Sequence, residues 1–277
     1  MSRPPTRRSK PSERSAMNTA VVIGLSAVVV AIRDGEAVVL TVRPHDAITD
    51  IASPLSGLPF GPFAPEAHRT FELGLRAFVA QQTRFQLGYV EQLYTFGDKG
   101  RDGAADDAAK WSRARLAFAL DGAPWNEERV LERYELLYEA GLAPEAARDR
   151  ARADGQDPAE PAALSAALGE PMISDHRRIL ATGLSRLRGK IKYRPVVFEL
   201  TPEEFTLSTL QRTVEAIAGV PLHKQNFRRV VEREELVEGL GRLDAETGGR
   251  PAELFRFRRE MLATRQATGL SLPLLRD

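Results

Sequence analysis

The sequence predicts an α/β (α+β) protein of two domains that ends in a winged helix-turn-helix. Its 277 residues exceed the usual size of one compact domain, so two hydrophobic cores are expected. Val-rich runs at Ala20–Ile32 and Ala37–Val42 predict strands in the first domain. The segment Thr201–Arg258 then has the order helix, tight turn, basic helix and Gly-rich hairpin, which is typical of a winged helix-turn-helix.

The two Val-rich runs predict one buried hairpin, because the Asp-Gly pair within Arg33–Glu36 suits a tight turn between them. A basic stretch precedes the first run, so the N-terminus also imitates a secretory signal. The matching second run favours the hairpin instead. Residues 1–16 hold five Lys and Arg against one acid and are predicted to be a disordered basic tail. Apart from the first run, no stretch approaches the roughly eighteen apolar residues of a membrane helix.

Charge and cysteine content limit which partners and which metal or disulfide sites can be predicted. The net charge of +1 identifies no partner, so any field that attracts nucleic acid must come from the arrangement of charges. The absence of cysteine excludes disulfides and thiolate metal sites and fits a cytoplasmic protein. Asp175 and His176 are interpreted as the start of a connecting helix rather than as an acid–base pair. The other histidines are too scattered in sequence to indicate a metal: His45, His68 and His223.

A second informative region begins at Leu58–Phe63, which reads Leu-Pro-Phe-Gly-Pro-Phe. Apolar residues then recur at helical spacing at Phe71, Leu75, Phe78 and Val79. This glycine loop and helix resemble those of a Nudix domain, an α/β/α sandwich that the resemblance places at residues 17–122. The Nudix box carries an Arg-Glu pair and a Glu-Glu pair. The aligned residues here are Ala77, Phe78, Gln81 and Gln82.

These neutral residues predict a Nudix-like domain without the usual hydrolysis. Mg²⁺ prefers hard oxygen ligands such as carboxylates, and the only acids from Gly61 to Gln86 are Glu66 and Glu72. We therefore expect no metal site and no enzyme, but a cleft that holds a nucleotide without cutting it. Two alternatives stay open: a cleft filled as structural core, and a Nudix-type hydrolase of a nucleoside-diphosphate-linked substrate that uses a displaced metal site.

The C-terminal helices are specified by local signals. Thr201–Glu204 reads as a capping box that opens a helix, and Gly219 supplies its left-handed stop. A basic helix is predicted from His223 to Glu235, with apolar residues on one face and polar residues opposite. On that basis the candidate DNA contacts are Gln225, Asn226 and Arg229 for bases, and Lys224, Arg228, Arg233 and the wing residue Arg250 for phosphate or the minor groove. The alternative is an ordinary solvated basic helix.

The segment 123–174 is predicted to be a helical insertion. An apolar stripe precedes Gly141, which ends its first helix: Val130, Tyr134, Leu137 and Tyr138. Three roles stay open for this insertion: packing on the first domain, bracing a dimer, or relaying the state of a ligand.

Several motifs together resemble the Nudix-related transcriptional regulators of bacterial NAD metabolism, specifically their branch of repressors with a degenerate Nudix box. They are Tyr94–Asp98, Asp175–Tyr193, Phe198–Leu207, Asn226–Arg229 and Gly249–Pro251. The resemblance implies a homodimer that binds double-stranded operator DNA and senses an adenine nucleotide or NAD-related metabolite. His223 departs from the acidic cap that this family commonly has there. A structural adaptor that binds neither partner is a further alternative.

The resemblance also fixes the expected layout. The connecting helix and winged helix-turn-helix take residues 175–262, and residues 263–277 form a C-terminal tail. Effectors of the NAD, ATP or ADP-ribose class are expected, with no catalytic cofactor. The candidate ligand contacts are Arg43, Phe60, Gly61, Phe63, Asp98 and Arg101.

Overall fold

The computed structural model describes residues 23–43, 45–46, 51–52, 55–96, 107–156, 168–244 and 251–260. Its N-terminal part contains β1 (Gly24–Ser26), β2 (Val30–Arg33), β3 (Glu36–Val39), β4 (His45–Asp46), β5 (Ile51–Ala52), β6 (Phe60–Pro62) and α1 (Phe71–Thr83). Four helices follow: α2 (Asp107–Ala117), α3 (Val130–Glu139), α4 (Pro144–Ala153) and α5 (His176–Lys190). The C-terminal part contains a 3₁₀ helix (Val196–Leu200), β7 (Glu204–Thr206), α6 (Leu207–Ala218), α7 (Lys224–Arg233), β8 (Val237–Asp244) and β9 (Ala252–Phe257). The predicted tails at 1–16 and 263–277 lie outside the described residues.

Strands β2 and β3 form the predicted turn, but the first Val-rich run is not one strand. Asp34 and Gly35 have φ of 54° and 81°, as a type I′ hairpin turn requires. Upstream, β1 pairs antiparallel with β6, and the Ala27 N–H donates to the Pro59 carbonyl at 2.8 Å. The predicted hairpin is therefore confirmed for β2 and β3 but does not extend over the whole first run, because the backbone of the glycine loop takes up the hydrogen bonds of β1. The expectation that this hairpin is buried is wrong, since every residue of β2 and β3 is at least partly exposed.

Helix α1 begins and ends at residues that satisfy its free backbone groups. The Thr70 hydroxyl accepts a hydrogen bond from the Leu73 N–H at 3.2 Å, and Arg84 closes the helix with a φ of 57°. Val79 is fully buried, as its place in the apolar pattern predicts. The glycine loop crosses this helix so closely that a Cβ on Gly61 would lie 3.2 Å from the Phe78 ring.

The helices of the predicted insertion pack on the connecting helix α5. Tyr134 of α3 and Ala181 of α5 share a small buried core, and Gly141, with a φ of 75°, follows the end of α3 as predicted. The buried Glu145 carboxylate of α4 accepts a hydrogen bond from Arg177 Nε at 2.7 Å. The insertion is thus held to α5 by both apolar contact and a partly buried ion pair.

Helix α6 begins later than the capping pattern at Thr201–Glu204 predicts. Its N-cap is Thr206, whose hydroxyl accepts from the Thr209 N–H at 3.1 Å. Residues Glu204–Thr206 form β7 instead, which pairs antiparallel with β9 and buries Phe205 to 3% exposure. The predicted helix start is wrong because strand pairing and burial of this ring outweigh a local capping preference.

The two C-terminal helices and a three-stranded sheet of order β7-β9-β8 enclose a second core. Its fully or nearly buried members include Leu210, Val214, Ile217, Phe227, Val231 and Leu236. Ile32 of β2 packs against the same core, so the N-terminal hairpin contacts the winged helix directly. The predicted fold class, an α/β chain with a C-terminal winged helix, is confirmed. Within the described ranges, no helix has the length and apolar character to cross a membrane.

Candidate nucleic-acid interface

The turn between α6 and α7 is held by side chains of α6. Gly219 ends α6 with a φ of 72°, as predicted. Glu215 Oε1 accepts from the Leu222 N–H at 2.7 Å, and Gln211 Nε2 donates to the Leu222 carbonyl at 2.9 Å. Gln211 Nε2 also donates to Glu215 at 2.9 Å. These three hydrogen bonds hold the backbone of Leu222 against α6 and thereby fix the direction in which α7 leaves the turn. The sequence pattern did not indicate these two residues.

Helix α7 separates an apolar inner face from a polar outer face, as predicted. Phe227, Val230 and Val231 are 2%, 3% and 0% exposed and face the winged-helix core. The outer face bears all six side chains of this helix that the sequence proposes as DNA contacts, and each is exposed: Lys224, Gln225, Asn226, Arg228, Arg229 and Arg233. The helix can therefore enter a groove of DNA without disturbing its own core.

The outer face of α7 is cationic but not uniformly so. No ion pair within the described residues engages Arg228 or Arg229, whereas Arg233 pairs with Glu234 at 2.8 Å. Glu232 lies exposed among these cations and lowers the local positive potential. His223 makes no side-chain hydrogen bond at the N-cap, so the amides of the first turn point outward uncapped. The cations of this face that lack a carboxylate partner among the described residues thus lie in the first two turns of the helix.

Strands β8 and β9 form the predicted wing. Phe255 and Phe257 are half-buried and Arg256 between them is exposed, as the alternating faces of a strand require. Arg256 is paired with Glu238 across the strands, and Arg242 with Glu204 at 2.5 Å. These pairs leave little free charge on this part of the wing. The predicted tip residue Arg250 lies outside the described residues.

The glycine loop presents a second candidate surface, held by an amide of the degenerate Nudix box. Gln82 Oε1 accepts from the Phe60 N–H at 3.2 Å, and Gln82 Nε2 donates to the Phe60 carbonyl at 2.7 Å. A carboxylate has no N–H and makes only the first of these bonds. Within the described ranges, no group of three or more His, Cys, Asp or Glu side chains is placed to hold a metal ion.

The candidate ligand contacts are only partly brought together. The Phe60 ring stands edge-on to His176 at 4.9 Å, and the Phe63 ring stands edge-on to Phe71 at 4.7 Å, so both rings already have protein partners. Phe60 remains 37% exposed, whereas Gly61 is buried. Arg43 is exposed. The described residues do not include the last two candidates, Asp98 and Arg101.

His176 connects the glycine loop to α5, a role that the sequence did not reveal. Its Nδ1 accepts a hydrogen bond from the Leu58 N–H at 2.9 Å, and the residue is 5% exposed. Burial lowers the pKa of His176, and the charge of Asp175 opposes this shift. The neutral imidazole is therefore the form that fits. No local pattern signals a contact between residues 118 positions apart.

The C-terminal fold and the polar outer face of α7 define a winged helix protein of the DNA-binding class. Residues 197–257 match the family model of the NrtR DNA-binding winged helix domain. This match bears out the resemblance seen in the sequence, over the part of the chain that forms the winged helix. Comparison with curated proteins gives no significant match.

Two solved structures extend the likeness beyond the winged helix. The chain is similar to NrtR of Shewanella oneidensis complexed with a 27mer DNA, with 22% identity, a TM-score of 0.54, and coverage of 87% of this chain and 95% of that one. It is also similar to a second crystal structure of Shewanella oneidensis NrtR, with 23% identity, a TM-score of 0.53, and coverage of 85% of this chain and 93% of that one. These values establish a shared fold along most of both chains.

Proposed function

We propose that the chain is a transcription regulator that binds double-stranded operator DNA through its winged helix and represses NAD biosynthesis genes. The observation that carries this proposal is the outer face of α7, where amides and arginines stand exposed on a helix whose inner face is fully packed. The match to an NrtR DNA-binding domain and the DNA complex of the Shewanella relative support it. A homodimer in the cytoplasm is part of the proposal.

The contacts divide by chemistry. Gln225 and Asn226 offer paired donors and acceptors for adenine, and Arg229 offers the fork that guanine accepts. The remaining cations set position and affinity through phosphate or the minor groove: Lys224, Arg228, Arg233 and Arg250. Two half-sites about one helical turn apart follow from a two-fold dimer.

The N-terminal domain is proposed to sense an adenine nucleotide or NAD-related metabolite without hydrolysing it. Gln82 supports this proposal because its amide is used to hold the Phe60 backbone, where a Nudix enzyme needs a carboxylate. The candidate contacts are Arg43, Phe60, Gly61, Phe63, Asp98 and Arg101. Effector binding changes DNA affinity only if the effector prefers one of two conformations, and either sign is allowed.

Fluorescence anisotropy tests this function. Labelled promoter fragments of NAD-synthesis genes are titrated with protein at fixed salt, with NAD, ATP or ADP-ribose present in turn. We expect binding that resists random competitor DNA and that shifts with one nucleotide, without release of a mononucleotide when Mg²⁺ is added. Binding to the promoter fragments no tighter than to random DNA would contradict the proposal and favour the alternative, a Nudix-type hydrolase.

A further inference from the structure

The winged helix contacts the preceding part of the chain through the β2–β3 hairpin and through α5. Ile32 of the hairpin packs into the winged-helix core. The turn residues Asp34 and Gly35 lie beside Thr209 and Arg212 of α6, with which they line a shallow groove. The winged helix is thus seated against the N-terminal domain rather than joined to it by a linker alone.

Arg188, in the last turn of α5, makes hydrogen bonds that connect this helix to the winged helix. Its Nε donates to the Ile217 carbonyl at 2.8 Å, and its Nη1 donates to the Glu127 carbonyl at 3.1 Å. Ile217 lies in the last turn of α6, where carbonyls lack an intrahelical donor and the helix dipole favours a cation. One guanidinium therefore joins α6 to the loop that precedes α3.

Gly219 lets this guanidinium approach. A Cβ at Gly219 would lie 2.7 Å from Arg188 Nη2, closer than any ordinary contact. Burial lowers the pKa of Arg188 and the charge of Glu127 opposes the shift, yet a guanidinium stays protonated in proteins. The donors of Arg188 are therefore present at any working pH.

The same helix contacts the glycine loop at its other end. His176, in the first turn of α5, accepts from the Leu58 N–H. Midway, α5 passes so close to the N-terminal domain that a Cβ on Gly183 would lie 3.0 Å from Val28 Cγ2. His176 and Arg188 are separated by about 18 Å of helix, at 1.5 Å per residue. A rigid helix thus links the candidate ligand surface to the DNA-binding domain.

We infer that Arg188 is a positioning residue for DNA recognition: it fixes the orientation of the winged helix on α5, and α5 relays a displacement of the glycine loop to α6. This inference rests on the proposed function and names how that function is regulated. Lysine at this position keeps the charge but lacks the planar fork that spans two carbonyls. Methionine keeps only the apolar stem.

Spin-label distances test the orientation without DNA or effector. The chain has no cysteine, so Cys introduced for exposed Arg69 and Glu203 are the only attachment points, one on each domain. The doubly labelled chain is diluted with unlabelled chain, so that distances within one chain are measured. We expect R188M to broaden or shift the distance distribution and R188K to do so less, whereas R152M, which changes an exposed Arg of α4, leaves it unchanged. A distance distribution in R188M that equals that of wild type overturns the inference. If R188M does not fold, R188K is measured instead, and an unchanged distribution in R188K overturns the inference.

DNA binding separates the failure of this inference from that of the proposed function. R188M should bind a single half-site like wild type but a full operator about tenfold more weakly, because two misoriented winged helices cannot engage both half-sites together. The shift that a nucleotide causes in wild type should also shrink in R188M. Equal full-operator binding and equal nucleotide response in R188M and wild type overturn the inference. Absence of specific DNA binding in wild type overturns the proposed function, while the distance measurement still decides the role of Arg188.

Discussion

At the scale of single residues, Gln82 gives one amide of the Nudix-like box a structural role. Both hydrogen-bonding groups of its side chain contact the backbone of Phe60, so the glycine loop is held to α1 by one side chain. A glutamate there keeps the acceptor and brings a negative charge against the Phe60 carbonyl. The amide of Gln82 thus has a structural role in this loop, whatever ligand the loop contacts.

Gln82→Glu should lower the free energy of unfolding by about 1 kcal/mol, since one hydrogen bond is lost and a carbonyl faces a carboxylate. Its neighbour provides the matched control, because Gln81 is also exposed but its side chain makes no hydrogen bond within the described residues. Urea denaturation of Gln82→Glu and Gln81→Glu measures the difference. Equal stability of the two variants would show that the hydrogen bonds between Gln82 and the Phe60 backbone do not stabilise the fold.

His176 makes the link between the glycine loop and α5 sensitive to pH. Its pKa is depressed in the folded chain, chiefly by burial, so the unfolded chain binds more protons at mildly acidic pH. The stability that depends on neutral His176 is fully present above the usual histidine pKa of 6.5 and is lost as pH falls from there through the folded pKa. Protonation also removes the acceptor that the Leu58 N–H needs.

His176→Asn should weaken this pH dependence, since the Asn oxygen can accept near the Nδ1 position and does not titrate. Urea denaturation at about pH 7.5 and about pH 5.5 gives the loss of stability for each protein. We expect wild type to lose more than the variant between the two pH values. The same loss in both would mean that other groups govern stability in this range.

Two neighbouring arginines of α7 should behave differently toward DNA. Arg229→Ala should lose discrimination between operator and random DNA, at roughly 1 to 3 kcal/mol for a base contact. Arg228→Ala should weaken binding to all sequences and reduce the salt slope by about one unit, if it neutralises one phosphate. Anisotropy titrations over a range of salt check both, with Arg115→Ala on α2 as control. An unchanged operator preference in Arg229→Ala would remove it from the base-contacting set.

At the scale of elements, local signals predicted well where one helix face or one turn decides the outcome. The separation of faces on α7, the left-handed Gly219 and the alternation of Phe255, Arg256 and Phe257 in the wing all follow from residue type and spacing. Prediction failed where distant partners decide. Glu204–Thr206 pairs with β9, and Gly24–Ser26 pairs with the glycine loop, and neither partner is visible in the local pattern.

The true start of α6 gives a test at this scale. Thr206→Ala should lower the free energy of unfolding by about 1 kcal/mol, because the Thr209 N–H loses its capping acceptor. Glu204→Ala removes the side chain that the sequence pattern places in a capping box, and should cost less than about 0.5 kcal/mol, since its pair with Arg242 is exposed. Thermal and urea unfolding compare the two variants. A larger effect of Glu204→Ala than of Thr206→Ala would restore the predicted helix start.

At the scale of the whole molecule, the candidate interface depends on arrangement rather than on total charge. A chain of net charge +1 has no general attraction for DNA, yet α7 concentrates exposed cations where a groove-binding helix needs them. The sequence predicted this face because helical spacing alone determines it. It did not predict the ties that orient this face, Gln211 and Glu215 at the turn and Arg188 at α5, because those ties are tertiary contacts.

The most direct test of the central claim, that the outer face of α7 reads DNA sequence, is selection from a randomised duplex library. Wild type should enrich an inverted repeat with half-sites about one helical turn apart. Asn226→Ala should enrich a motif that has lost its preference at one position of each half-site. Failure of wild type to enrich any motif would contradict the account. So would enrichment of the wild-type motif, unchanged at every position, by Asn226→Ala and by variants of the other outer-face residues.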